Sequence, residues 1–103
     1  MKEKGILKFR GSESKGIMHY IKYQDGYVSI TQKTSRKVKH IKKNNSIEIA
    51  LSLLSRDFRI VEISIIEDEK HVKTVYDFML NQKHTHYKKS NEGLVVLSYS
   101  NLR

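Results

Sequence analysis

Apolar and polar residues alternate with a period of two along most of this chain, and the alternation breaks twice into a helical repeat. Residues 5–10 (GILKFR) read as a half-buried strand with Ile6 and Phe9 toward the core. Residues 11–16 (GSESKG) place glycine at both ends of small polar residues, which suits a hairpin loop. Residues 16–23 (GIMHYIKY) return as a second strand. Asp25 and Gly26 favour a tight two-residue turn, because both residue types tolerate positive φ. Residues 27–31 (YVSIT) then pair antiparallel with the second strand, with Val28 and Ile30 on one face and Tyr27, Ser29 and Thr31 on the other.

The first helical stretch follows. Thr34 or Ser35 can cap it, Val38 and Ile41 give it a narrow apolar stripe, its other faces are basic, and Asn44 and Asn45 end it. Alternation resumes over residues 46–54, with Ile47, Ile49, Leu51 and Leu53 on one side. Over residues 58–66, Val61, Ile63 and Ile65 alternate with Glu62 and Ser64. Glu67, Asp68 and Glu69 precede a second helix, in which Val72, Val75, Tyr76, Met79 and Leu80 form one face. After a polar loop, residues 93–99 (GLVVLSY) form a nearly continuous apolar run, as in a strand buried on both faces.

Six short strands, a basic helix after the third and an amphipathic helix before the last define an α+β protein. So many mostly antiparallel strands in 103 residues predict a small barrel, since closure removes exposed edges. The chain reads as one domain over residues 1–103, without repeat, linker or low-complexity segment. A domain of this size buries only about two-thirds of its unfolded surface, so a shared interface would help it. Cysteine is absent, which excludes disulfides, thiolate nucleophiles and cysteine-ligated metals. No run approaches the ~18 apolar residues of a membrane span, and MKEKGILKF lacks the apolar core of a signal peptide, so a soluble cytoplasmic protein is expected.

Charge changes the picture. The net charge is +9, and residues 1–46 hold 12 lysines and arginines against 3 acids, while residues 47–103 hold 8 against 8. An anionic partner is therefore steered to the first half, around residues 31–44 (TQKTSRKVKHIKKN). There Ser35, Arg36 and Lys37 open the basic helix. Backbone N–H groups at a helix N-terminus lack intrahelical partners and carry partial positive charge, so a hydroxyl, a guanidinium and an ammonium beside them can complete a phosphate pocket. The alternative for Arg36 and Lys37 is a pair of solvated helix residues.

The order strand, Asp-Gly, strand ending in Thr, polar loop with Ser-Arg-Lys, basic helix ending in Asn-Asn, alternating strand resembles the pyridoxamine 5′-phosphate oxidase-like family of FMN-binding split β-barrels. The segment DGYVSITQKTSRKVKHIKKNNSIEIAL carries the resemblance. It implies a six-stranded split barrel and a homodimer with flavin sites in the dimer grooves. It also implies an FMN cofactor whose phosphate is held by Arg36, Lys37 and Thr31, with Ser35 at the motif's serine, and oxidoreductase activity on an unidentified small molecule. Along the strand that should follow the flavin ring, His19-Tyr20-Ile21-Lys22, the oxidase's arginine is missing and Lys22 is the residue left to replace it in part. The chain also opens on its first strand and ends at Asn101-Leu102-Arg103 without an oxidase-type substrate segment, so a substrate other than vitamin B6 is expected.

Other readings stay open. Tyr20, Tyr23 and Tyr27 beside basic residues could stack bases, which would make a single-stranded nucleic-acid platform. A cofactor-free interaction barrel is the third reading. His84 and His86 stand two apart but lack a third ligand of suitable spacing, and no HExxH, GxxxxGK or GxGxxG motif occurs. His19, His40 and His71 read as surface or packing residues. Any redox chemistry would then be the flavin's, with the chain supplying position and electrostatics.

Overall fold

The computed structural model describes residues 2–11, 14–100 and 102. The elements run β1 (Lys4–Arg10), β2 (Lys15–Tyr23), β3 (Gly26–Gln32), α1 (Arg36–Asn44), β4 (Ser46–Ala50), β5 (Arg59–Ile66), α2 (Glu69–Asn81) and β6 (Leu94–Tyr99). The strands close into an antiparallel barrel in the order β1-β2-β3-β6-β5-β4. This is the expected α+β barrel with its two helices.

Two apolar clusters explain the strand patterns. The barrel interior is filled from every strand, by residues such as Leu7, Phe9, Tyr20, Ile49, Val61 and Leu97, and α1 closes it with Val38 and Ile41. Outside the barrel, Val72, Val75, Tyr76 and Met79 of α2 lie on Ile21, Val28, Ile30, Leu94 and Val96. Strands β3 and β6 are therefore buried on both faces, which is why residues 94–97 carry four apolar side chains in succession. Full burial of such a side chain is worth about 1.5–3 kcal/mol, so α2 is a main source of stability outside the barrel.

Where strand bounds and faces differ from the alternation in the sequence, period and pairing give the reason. Leu7 and Phe9 point inward, two apart, whereas Ile6 lies on the opposite face and is only half-buried, since residues three apart cannot share a strand face. Gly5 faces the ring of the buried Tyr20, where an added Cβ would meet the phenol oxygen at 2.7 Å. The β2–β3 turn is centred on Gln24 and Asp25, with Gln24 at φ 55°, and Gly26 already pairs with Tyr23. The expected turn and the observed one differ by two in register, so every side chain keeps its predicted face. Strand β4 stops at Ala50 rather than Leu54. Its partner β5 begins only at Arg59, and the hydroxyls of Ser52 and Ser55 accept from the backbone of Leu54 and Asp57 at 3.2 and 3.1 Å, which substitutes a turn for the ladder. Leu53 and Leu54 are exposed in consequence. Of the expected loop over residues 11–16, Ser12 and Glu13 lie outside the described residues. Gly11 N–H donates to the Ser14 carbonyl at 2.7 Å across it.

Candidate functional site

The ladder between β2 and β3 is short. It holds three pairs, Tyr23 with Gly26, Lys22 with Tyr27 and Ile21 with Val28, although β2 continues back to Lys15 and β3 on to Gln32. Past Ile21 the two strands are no longer zipped together. The β2 carbonyls at this split still find donors, as buried backbone groups must. Ser29 Oγ donates to the His19 carbonyl at 2.7 Å. With the serine proton so used, the Tyr99 hydroxyl donates to Ser29 Oγ, also at 2.7 Å, and burial pushes the Tyr99 phenol far above its ordinary value, which keeps it protonated for that role. His84 Nε2 lies 2.9 Å from the Gly5 carbonyl and 3.0 Å from the Tyr20 carbonyl. Two carbonyls accept only, so Nε2 carries a proton.

A cavity of about 230 Å³ occupies the split. It is walled by Ile17, Met18 and His19 of β2, Ile30 and Thr31 of β3, Lys37 of α1, Met79 of α2, and Thr85, His86 and Tyr87 of the α2–β6 connection. Thr31 is 1% exposed, and its Oγ1 has no hydrogen-bond partner among the described residues. An unsatisfied buried hydroxyl costs about 1–3 kcal/mol, and among the described residues the Tyr76 hydroxyl in the cluster under α2 shares this state. The Lys37 ammonium stands 5.1 Å from the centre of the Phe9 ring, and burial lowers its pKa from the ordinary lysine value. Among the described residues the ion pairs are Arg10–Glu48, Lys42–Glu67 and Lys73–Asp77, so Lys37 has no carboxylate beside it.

The start of α1 is built as the pattern of residues 31–44 predicts. Ser35 is the N-cap, in extended conformation, and accepts from Val38 N–H at 3.4 Å. That leaves the N–H groups of the first helical turn, those of Arg36 and Lys37, without intrahelical acceptors. No acid stands in this turn, and Asn45 ends the helix in the left-handed conformation, its N–H on the Ile41 carbonyl.

Of the five candidate residues, Thr31 and Lys37 meet in the cavity. Ser35 caps α1 and is not part of the cavity wall. Arg36 is exposed at the first helical position and is not part of the cavity wall. Lys22 borders a different hollow with Lys4, Ile21, Gln24, Phe78 and Gln82. Sequence reasoning missed His19, His86 and Tyr87. His19 shares a β2 face with Ile17 and Ile21, and its ring lies edge-on to His84 with centres 4.7 Å apart. Burial first, and then the charges of His84, His86 and Lys88, hold the His19 imidazole below its ordinary value. Only the contact between β2 and a loop more than sixty residues away reveals this group, and no spacing along the chain encodes it. Among the described residues no cluster of three His, Cys, Asp or Glu is placed to hold a metal ion.

The tyrosines do not form the surface platform that base stacking requires. Tyr20 and Tyr27 are buried inside the barrel with ring centres 5.9 Å apart, and Tyr23 packs edge-on against Phe78 at 5.3 Å. Among the described residues no helix is long and apolar enough to cross a membrane.

Solved structures share this fold. A Listeria innocua protein described as a "Putative Pyridoxamine 5′-phosphate oxidase" aligns over 96% of this chain and 83% of its own, with a TM-score of 0.63 at 12% identity. General Stress Protein 26 from Bacillus anthracis str. Sterne aligns over 97% of this chain and 80% of its own, with a TM-score of 0.59 at 15% identity. At such identities the likeness is one of fold, and it agrees with the split barrel that the Ser-Arg-Lys segment led one to expect. No family model and no curated protein matches the chain.

Proposed function

We propose that this chain is an FMN-binding split-barrel protein that acts as a homodimeric oxidoreductase on an unidentified small molecule. The observation that carries the reading is that Thr31, whose hydroxyl is buried and unpartnered, stands in the wall of the same cavity as Lys37 at the start of α1. A phosphate monoester suits this donor set. It carries up to two negative charges and several acceptor oxygens, and it would meet the Thr31 hydroxyl, the Lys37 ammonium and the first-turn N–H groups of α1. Charge-assisted bonds of this kind are worth about 1.5–3 kcal/mol each. Arg36, exposed next to Lys37, would complete the grip with its guanidinium.

The donors fit the phosphate, and the cavity of about 230 Å³ fits part of the nucleotide rather than all of it. Ile17 at its rim is 58% exposed, and a second copy of the chain covering that rim would supply the missing wall. FMN, when bound, supplies reversible hydride acceptance. The chain's own part is to hold the phosphate, to keep water from the inner end of the cavity with Met18, Ile30 and Met79, and to set the local charge.

Titration of the purified protein with FMN, followed by flavin fluorescence with riboflavin in parallel, tests the reading. Saturable binding of FMN with no binding of riboflavin supports it. Equal binding of both would remove the phosphate site, and binding of neither would leave a barrel without this cofactor.

A further inference from the structure

The cavity in the sheet split has an electrostatic peculiarity. Three other hollows on the surface each include carboxylates in their walls: Glu62 and Glu67 in one, Glu67, Glu69 and Glu92 in the next, and Glu3 in the third. The wall of the split cavity has none, and it carries Lys37, His19 and His86. Cationic and titratable groups gathered without a counter-ion in a partly water-excluded site repel one another, and the guest that relieves the repulsion is an anion.

We propose that His19 is an anion-binding residue of this cavity and that the guest's negative charge brings a proton onto its imidazole. The surroundings of His19 decide the direction. Its cross-strand neighbour on β1 is Ile6; β3 contributes Ile30 and Thr31 to the shared cavity, α1 contributes Lys37 and α2 contributes Met79. The α2–β6 connection brings His84, His86, Tyr87 and Lys88. No acid is present in this set, so every charged neighbour opposes protonation while the cavity holds no anion. His84 cannot turn away to relieve the crowding, since its Nε2–H is committed to the Gly5 and Tyr20 carbonyls. A phosphate-bearing guest reverses the balance by supplying the counter-charge that the wall lacks. Binding and proton uptake are then linked, and the site takes up its ligand more tightly as the pH falls toward 6, until the guest's own phosphate begins to protonate.

The identity of the guest rests on the flavin reading above, whereas the protonation of His19 does not. The test is histidine proton NMR of the full chain from pH 5 to pH 8, run free, with FMN and with inorganic phosphate. The His19 resonance is identified by its loss in His19→Gln or, should that variant unfold, by sequential assignment. The expected result is a midpoint that rises by about one pH unit when FMN is added, in keeping with an opposite charge within reach of a titrating group. His19→Gln should also flatten the pH dependence of FMN affinity, while Lys37→Met lowers the affinity at every pH. FMN binding with an unmoved His19 midpoint would overturn this proposal and leave the flavin reading standing. A midpoint moved by inorganic phosphate in a protein that ignores FMN would support the proposal and overturn the flavin reading. A midpoint unmoved by either anion would overturn the proposal.

Discussion

The two helices of this protein are built to the same plan and ended differently. Each has an oxygen side chain as N-cap, Ser35 for α1 and Asp68 for α2, and each buries an apolar stripe against the barrel. The difference lies in the first turn. In α2 the cap is a carboxylate that accepts from His71 N–H at 2.9 Å, and Glu69 follows it, so the positive end of the helix is neutralised from within. In α1 the cap is a neutral hydroxyl with a long bond, no acid follows, and Arg36 and Lys37 put two cations where the helix dipole disfavours them. Each such placement costs about 0.3–1 kcal/mol. Local rules broken without a local gain are expected at functional sites. So the first turn of α2 is neutralised from within, whereas that of α1 carries no carboxylate of its own, which is the contrast on which the proposed phosphate site rests.

Stability should not distinguish the helices, because both are anchored by fully buried side chains. Ile41→Ala in α1 and Met79→Ala in α2 should each lower the unfolding free energy by about 2–5 kcal/mol, measured by urea denaturation. A loss below 1 kcal/mol for Ile41→Ala would mean that α1 is a surface appendage and not part of the barrel's closure.

Binding should separate them sharply. Arg36→Ala combined with Lys37→Ala should weaken FMN affinity by about 100-fold or more, since two charge-assisted contacts are removed. Folding stability should hold or rise slightly as the conflict with the dipole is relieved. The matched change in α2, Glu69→Ala, should leave FMN affinity where it was. Equal affinity in the α1 double variant, read from flavin fluorescence, would take the phosphate away from α1.

Much of this arrangement is written locally and some of it is not. The Ser35 cap, the Val38 and Ile41 stripe and the Asn45 stop are decided by residues a few positions apart, and α1 appears where they place it. The doubly buried β6 is equally local, because burial on two faces requires an unbroken apolar run. The end of β4 escaped because Leu51 and Leu53 continue the alternation while the pairing partner has run out, and pairing is a property of two strands. The cavity escaped for the same reason. It exists because the β2–β3 ladder stops at Ile21 and Val28, and it is walled by residues from α1, α2 and a loop that the barrel brings together. Thr31 and Lys37 were accessible through the pattern of residues 31–44, but His19 is an ordinary strand histidine until the connection carrying His84 and His86 is folded over it.

The caps offer a finer test of the two helix starts. Asp68→Ala should cost about 1 kcal/mol, because it removes both a short hydrogen bond and a favourable charge. Ser35→Ala should cost nearer 0.5 kcal/mol, at the low end of the range for caps, since its bond to Val38 N–H is long. Urea denaturation of both variants checks the order. A larger loss for Ser35→Ala would make that hydroxyl a principal support of α1 and not a neutral cap beside an anion site.

The smallest effect expected is a pH dependence that originates at His19. In the unfolded chain this imidazole titrates near its ordinary value of 6.5, and in the folded chain burial, followed by His84, His86 and Lys88, holds it lower. As the pH falls through 6.5, the unfolded chain takes up this proton before the folded chain does, so the folded state loses stability on the acid side. Above that value both forms are neutral, and the contribution disappears. The ring is partly open to water, which keeps the effect small. Urea midpoints at pH 5.5 and 7.5 should therefore differ less in His19→Gln than in the parent chain. The same measurement with FMN present should shrink the acid loss at this residue. A bound anion favours the imidazolium, so acid should then tighten the complex and offset the loss, and a slope unchanged by the ligand would separate His19 from the site that α1 opens.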